Sequence, residues 1–316
     1  MDQMSFSSLA YDNKKKKTRR EAFLAEMDKV IPWKILLKPI QRYYPKAGNG
    51  RQPYPLETML RIYFMQQWYQ LSDPAMEDSL YDIESMRRFA RLDLERPIPD
   101  ETTILNFRRL LETHNLTARL FEKVAGYLEQ NDLLLNAGTI VDASIVNAPS
   151  STKNQNKKRD PDMKQTKKGN QWYFGMKMHV GTDSQGLAHS IVVTDAAVHD
   201  SQILDDLLHG EEQEVYGDKA YADEKKKQEF EEQGKTWRIN RKATRGKKLN
   251  IADRCFNKKS NRTRAKVEHL FGVIKNLWNY RKVRYKGLSK NAAQVFSLVA
   301  LANLYLARRD ILLLQA

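Results

Sequence analysis

The sequence carries a single cysteine, Cys255, among its 316 residues. A lone thiol excludes internal disulfides and thiolate metal clusters, and it fits a reducing, cytoplasmic setting. Long apolar runs are also missing. The longest, VFSLVALANLYLA over 295–307, is interrupted by Ser297 and Asn303. It falls short of the ~20 apolar residues that a bilayer span requires, so a buried helix is expected there and no membrane partner. The N-terminal stretch lacks the apolar segment of a secretory signal. No glycine-rich phosphate loop follows a strand-like run, and no zinc-ligand spacing occurs. Any phosphate chemistry therefore falls to carboxylates.

Acids are scarce where bases are dense. The formal net charge is +15, and between residues 235 and 290 nineteen Lys and Arg face only Asp253 and Glu268. Such an excess points to a polyanionic partner. Hydrophobic residues make up 41% of the chain, enough for a folded core. Residues 1–20, with the run KKKKTRR, read as a flexible basic arm.

The period of the apolar residues divides the rest of the chain in two. Leu56, Met59, Leu60, Tyr63, Phe64 and Trp68 recur at helical steps, and LSDP, with Ser72 or Asp73 as cap, starts a second helix. Asp100 is expected to cap a third, which would display Thr103, Asn106, Arg108 and Arg109 on or near one polar face. Residues 21–135 are thus expected to form a helical, helix-turn-helix-like DNA-binding domain, the alternative being a dimerising bundle. From Gly138 the pattern changes. TIVDASIV, WYFGMKMHVGT, LAHSIVVTDA, EQEVYGD and KTWRIN read as five strands, interleaved with helices towards the C-terminal side. A mixed α/β sheet covered by helices is expected over 136–316, with basic loops near 147–170 and 241–260 and final helices over 262–280 and 289–309.

Three acids stand out. Asp142 lies in the middle of the first strand among apolar neighbours, where a carboxylate is costly without compensation. Asp218 ends the fourth strand, a position where sites assemble, although it could simply cap the following turn. Glu268 lies one step off the buried stripe of its helix, on a strip shared with Arg264, Gly272 and Lys275. Gly272 would leave room for a polynucleotide backbone. Carboxylates from three elements could hold Mg²⁺, or Mn²⁺, as a two-ion centre acting at phosphorus, with the surrounding bases gripping DNA. Asp200, read as a helix cap, and Asp195, at a strand end, are set aside as metal ligands, and Asp160 and Asp162 are read as solvated. Trp172, beside the basic loop, could stack on a base, and Lys219 could touch a phosphate.

TIVDASIV, YGDKAY and RAKVEHLFGVIK together resemble the three acidic motifs of the DDE transposases of bacterial insertion sequences, in particular the insertion-sequence-five family. The likeness extends to 44–83, 148–177 and 207–213, and covers residues 20 to 310. The resemblance implies an RNase H-like catalytic domain. Asp142, Asp218 and Glu268 would be its metal-binding catalytic acids, with Arg264 and Lys275 as the bases flanking the Glu. Asn261 stands where the family often has Tyr. The implied reaction is cleavage at terminal inverted repeats and joining of a 3′-hydroxyl to target DNA, by a dimer or larger multimer on double-stranded DNA. A nuclease of the RNase H superfamily and a catalytically silent DNA-binding derivative are the alternatives.

Overall fold

A computed structural model describes residues 14–92, 97–243, 246 and 248–315. Most of the expected basic arm, residues 1–13, lies outside the described residues, and its last part is already helical. Thr18 caps α1 (Arg19–Val30), with Glu21 closing a reciprocal capping box. Then follow α2 (Trp33–Gln41), α3 (Leu56–Tyr69), α4 (Asp73–Asp82), α5 (Glu84–Phe89), α6 (Glu101–Thr113) and α7 (Leu116–Gln130). Ser72 caps α4 and Asp100 caps α6, each by accepting a backbone N–H of the first turn.

The sheet contains β1 (Gly138–Asn147), β2 (Lys164–Lys168), β3 (Gln171–Thr182), β4 (Ala188–Asp195), β5 (Glu214–Gly217) and β6 (Thr236–Ile239). Its order is β2-β3-β1-β5-β6, with β4 also pairing with β3. β1 runs antiparallel to β3 and parallel to β5, so the sheet is mixed. β2 falls within the expected loop at 147–170. It was hidden from the pattern because KQTKK has no apolar alternation, and pairing with β3 is what makes it a strand.

The helical elements of this half are α8 (Leu204–Leu207), α9 (Glu224–Glu232), α10 (Ile251–Arg264), α11 (Val267–Gly272) and α12 (Leu288–Leu314). Val141, Leu204, Leu207, Val215, Tyr221, Trp237 and Ile239 form the apolar layer on one sheet face. Ile140, Val146, Met176, Met178 and Val180 face the other way, into a core shared with α11, α12 and the N-terminal helices. The apolar run at 295–307 is the middle of α12, which is largely buried between the sheet and α1, α3 and α7. Among the described residues no helix is long and apolar enough to cross a membrane.

The expected helix over 262–280 is broken twice. α10 extends back to Ile251, through the segment expected to be a basic loop, and the chain turns at Ala265–Lys266 before α11. A π-helical turn, Val273–Leu277, then follows α11 directly. Arg264, Glu268 and Lys275 consequently share no single helical strip.

Candidate active site

β1 and β5 are parallel neighbours with Ile140 opposite Tyr216. The paired register ends there, and Asp218 follows directly after β5, close enough for its charge to act on the Asp142 carboxyl. Close packing before Asp218 needs a glycine: a Cβ on Gly217 would come within 2.6 Å of Ile239 Cδ1 and 2.9 Å of Val141 Cγ2. Asp218 accepts the Ala220 N–H at 2.6 Å, so one of its oxygens caps the 3₁₀ turn Lys219–Tyr221.

Asp142 is held in a mixed environment. Burial pushes its carboxyl above the usual range; Arg264 and the Ala143 N–H pull it back down, and the charge of Asp218 raises it again. Arg264 Nη2 lies 3.7 Å from Asp142 Oδ2. Arg264 is itself held by Asn261, whose Oδ1 accepts from Arg264 Nη1 at 3.1 Å and from Asn240 Nδ2 at 2.8 Å. The residue at the departure from the family signature therefore orients the arginine. The charge of Lys168, at the end of β2, also acts on Asp142.

Tyr221, three residues after Asp218, does not stand out in the sequence. Its hydroxyl is fully buried and has no hydrogen-bond partner among the described residues. Burial pushes it far above the usual tyrosine range, and Asp200, Asp142 and Asp218 push in the same direction. The 3₁₀ turn Lys219–Tyr221 packs it against Val141 and Val215 of the neighbouring strands, which its own segment does not announce. Asp200 is not the expected cap, since His199 accepts the Ser201 N–H in that role. Instead it accepts from Lys177 Nζ at 2.8 Å, with His179 Nδ1 at 3.9 Å.

Glu268 stands apart. It is exposed on α11, and its carboxylate makes no hydrogen bond or ion pair among the described residues. Val267 and Leu270 bury the other side of that turn, which leaves Glu268 facing out. Among the described residues no three His, Cys, Asp or Glu lie close enough together to share a metal ion. The three expected acids thus do not form one cluster here. Asp142 and Asp218 still suit a hard divalent cation. Asp142 offers a carboxyl whose raised pKa a cation would relieve, the Asp218 charge acts on it, and the buried Tyr221 hydroxyl makes no hydrogen bond among the described residues.

Other expected residues divide by exposure. Lys275, expected to face DNA, is turned inward by the π-helical turn. Its Nζ donates to Ser144 Oγ at 2.7 Å and to the Ile145 carbonyl at 2.6 Å, bracing β1 beside Asp142. Arg108 is not on the polar face of α6. It is buried, donates to Asp73 Oδ2 at 2.8 Å and Glu112 Oε1 at 3.0 Å, and stacks over Tyr285. Asn106 and Arg109 are exposed and Thr103 is half-buried. The stretch before α6, residues 90–100, is longer than a helix-turn-helix turn, and residues 93–96 lie outside the described residues. Trp172 is 64% exposed at the β2–β3 hairpin, and Lys219 is exposed. A Cβ on Gly272 would meet open space. Asp160 and Asp162 are not free in solvent: they accept the Gly287 and Leu288 N–H groups at 2.7 and 3.0 Å, at the start of α12.

A family model described as Transposase DDE domain matches residues 135–304. A second, described as Transposase domain (DUF772), matches residues 12–110. No solved structure matches the chain.

Proposed function

The chain belongs to the Transposase DDE domain family, and from that premise we propose that it cuts DNA at the ends of an insertion sequence of the insertion-sequence-five type and joins the freed 3′-hydroxyl to target DNA. A DDE domain implies an RNase H-like fold, and the mixed, helix-covered sheet agrees with it. The observation that supports the reading is that Asp142, on β1, and Asp218, directly after its parallel neighbour β5, lie within the matched domain with the Asp218 charge acting on Asp142.

In this proposal Asp142 and Asp218 would hold Mg²⁺ or Mn²⁺, and Glu268 would supply a third carboxylate once DNA is bound. The bound ion would supply charge neutralisation at phosphorus and a lowered pKa for an attacking hydroxyl. Arg264, fixed by Asn261, would face a non-bridging phosphate oxygen near Asp142. In the first step a water oxygen bonds to phosphorus as the P–O3′ bond breaks, and the leaving 3′-oxygen takes up a proton. In the second, that 3′-hydroxyl attacks a phosphodiester of the target, releasing another 3′-hydroxyl. No nucleotide triphosphate is consumed. Residues 21–135 would help to recognise the ends, with exposed Asn106 and Arg109 as contacts and Trp172 stacking on a base in distorted DNA. A multimer on two ends is the expected working form.

The test is incubation with a labelled transposon end, a target duplex and MgCl₂. Strand-transfer product is expected from the wild type, and none from Asp142→Ala, Asp218→Ala or Glu268→Ala, with duplex binding retained. Cleavage without transfer would support a nuclease instead. Full activity of Glu268→Ala would remove the third acid from the mechanism.

A further inference from the structure

Helix α10 is an unusual structural element. Of its fourteen residues only Ser260 is buried. Apart from Phe256, whose ring lies under the Arg241 guanidinium, the described contacts that fix it are polar. Ser260 Oγ donates to the Arg238 carbonyl at 2.6 Å. Asn257 exchanges two hydrogen bonds with the Arg241 backbone, at 2.9 and 3.2 Å. Asn261 bonds Asn240, and Arg241 pairs with Asp253 at 2.5 Å. Hydrophobic burial usually holds a helix in place. Here it is replaced by a seam of side-chain hydrogen bonds along Asp253, Asn257, Ser260 and Asn261, and that seam engages the helix's one acid.

Beside the seam runs a stripe of Arg254, Lys258 and Arg262, spaced four residues apart and so on one line of the helix surface. All three are exposed, and their side chains make no ion pair or hydrogen bond among the described residues. They line an open groove of about 610 Å³, together with Asn257, Asn261 and Ala265. At its C-terminal end lies Arg264, the residue that faces Asp142.

We propose that this groove is a docking surface for the sugar-phosphate backbone of duplex DNA, with Arg254, Lys258 and Arg262 each neutralising a phosphate of the strand that leads to the acid pair. Eight residues of helix rise about 12 Å. One strand of a duplex presents a charge every ~3.4 Å of axis, so three or four phosphates fall within the stripe's reach. Unpaired cations along an open, concave groove suit a phosphate backbone, which needs point charges within reach. The alternating seam and stripe also account for a polar helix being placed there: one side positions Arg264 and the other meets the polyanion. This inference rests on the DNA substrate of the proposed function but not on its chemistry.

The test measures binding of the full chain to a short labelled duplex of mixed sequence across a salt series. Each lost phosphate contact should reduce the slope of log K against log salt by about 0.9, so Arg254→Gln/Lys258→Gln/Arg262→Gln should reduce it by about 2.7. The charge-conserving set Arg254→Lys/Lys258→Arg/Arg262→Lys should keep the wild-type slope, which separates charge from folding. Asp142→Ala should also keep that slope. An unchanged slope in the Gln variant overturns the proposal, even if Asp142→Ala abolishes cleavage. Cleavage surviving in Asp142→Ala would instead sink the catalytic reading while the stripe is still read by its slope. Gln-variant loss confined to vesicles containing phosphatidylserine, with duplex binding intact, would assign the groove to an anionic membrane and also overturn the proposal.

Discussion

Asp142 and Tyr221 both carry a cost of burial. A carboxyl with a raised folded-state pKa contributes stability below its unfolded pKa and loses it as pH rises through the folded value. Ionised Asp142 therefore destabilises the fold near neutrality. Asp142→Asn should melt higher than the wild type at pH 7, and the gap should close as pH falls below the ordinary carboxylate range. Thermal melts across that series test it. A buried hydroxyl without a partner costs about 1–3 kcal/mol, so Tyr221→Phe should gain on the order of 1 kcal/mol in urea denaturation. If the hydroxyl serves a cation held by Asp142 and Asp218, the same variant should show a smaller rise in melting temperature on adding MgCl₂. The isolation of Asp142 in an apolar strand was visible in the sequence. Tyr221 was not, because nothing in its own segment reveals a 3₁₀ turn folding it under a neighbouring strand.

Among the elements, those legible in the sequence were the ones whose apolar residues keep a period. β1 was readable from its β-branched residues, β3 and β4 as strand-like runs around a turn, α3 from three- and four-residue steps, α12 from its apolar run, and α4 and α6 from their caps. α10 and β2 were not, because neither carries an apolar stripe and each is fixed by partners distant in sequence. The inward turn of Lys275 depends on a π-helical turn, which no local spacing announces. Arg108 makes the same point with a measurable consequence. It ties α4 to α6 through Asp73, and Arg108→Ala would leave Asp73 and Glu112, whose side chains are 18% and 14% exposed, without their cation. A loss of about 3–5 kcal/mol is expected. Arg109→Ala, one residue along and exposed, should change urea stability by less than ~0.5 kcal/mol while weakening duplex binding.

For the molecule as a whole, acid should be destabilising through its buried imidazoles. Burial pushes His179 down to about 4 despite Asp200 nearby, and His189 likewise to about 4, well under the ordinary 6.5. A depressed histidine contributes stability above its unfolded pKa and loses it as pH falls towards the folded one. Urea midpoints should therefore drop between about pH 6.5 and pH 4, and less steeply in His189→Gln if the fold survives that change. The overall charge was the most legible global feature, since it needs only counting. How Asp160 and Asp162 tie the basic segment to the start of α12 could not be counted, because it depends on two stretches more than a hundred residues apart meeting.

The parallel pairing of β1 with β5 fixes where the chain leaves β5, and Asp218 is the first residue after that strand. Loops between the two strands can lengthen, shorten or change sequence without altering that point of exit. A slip of one residue in β5, by contrast, would swing Asp218 to the opposite side of the sheet and leave Asp142 without its neighbour. Tolerance in the connections and intolerance in a four-residue strand are two sides of the same construction.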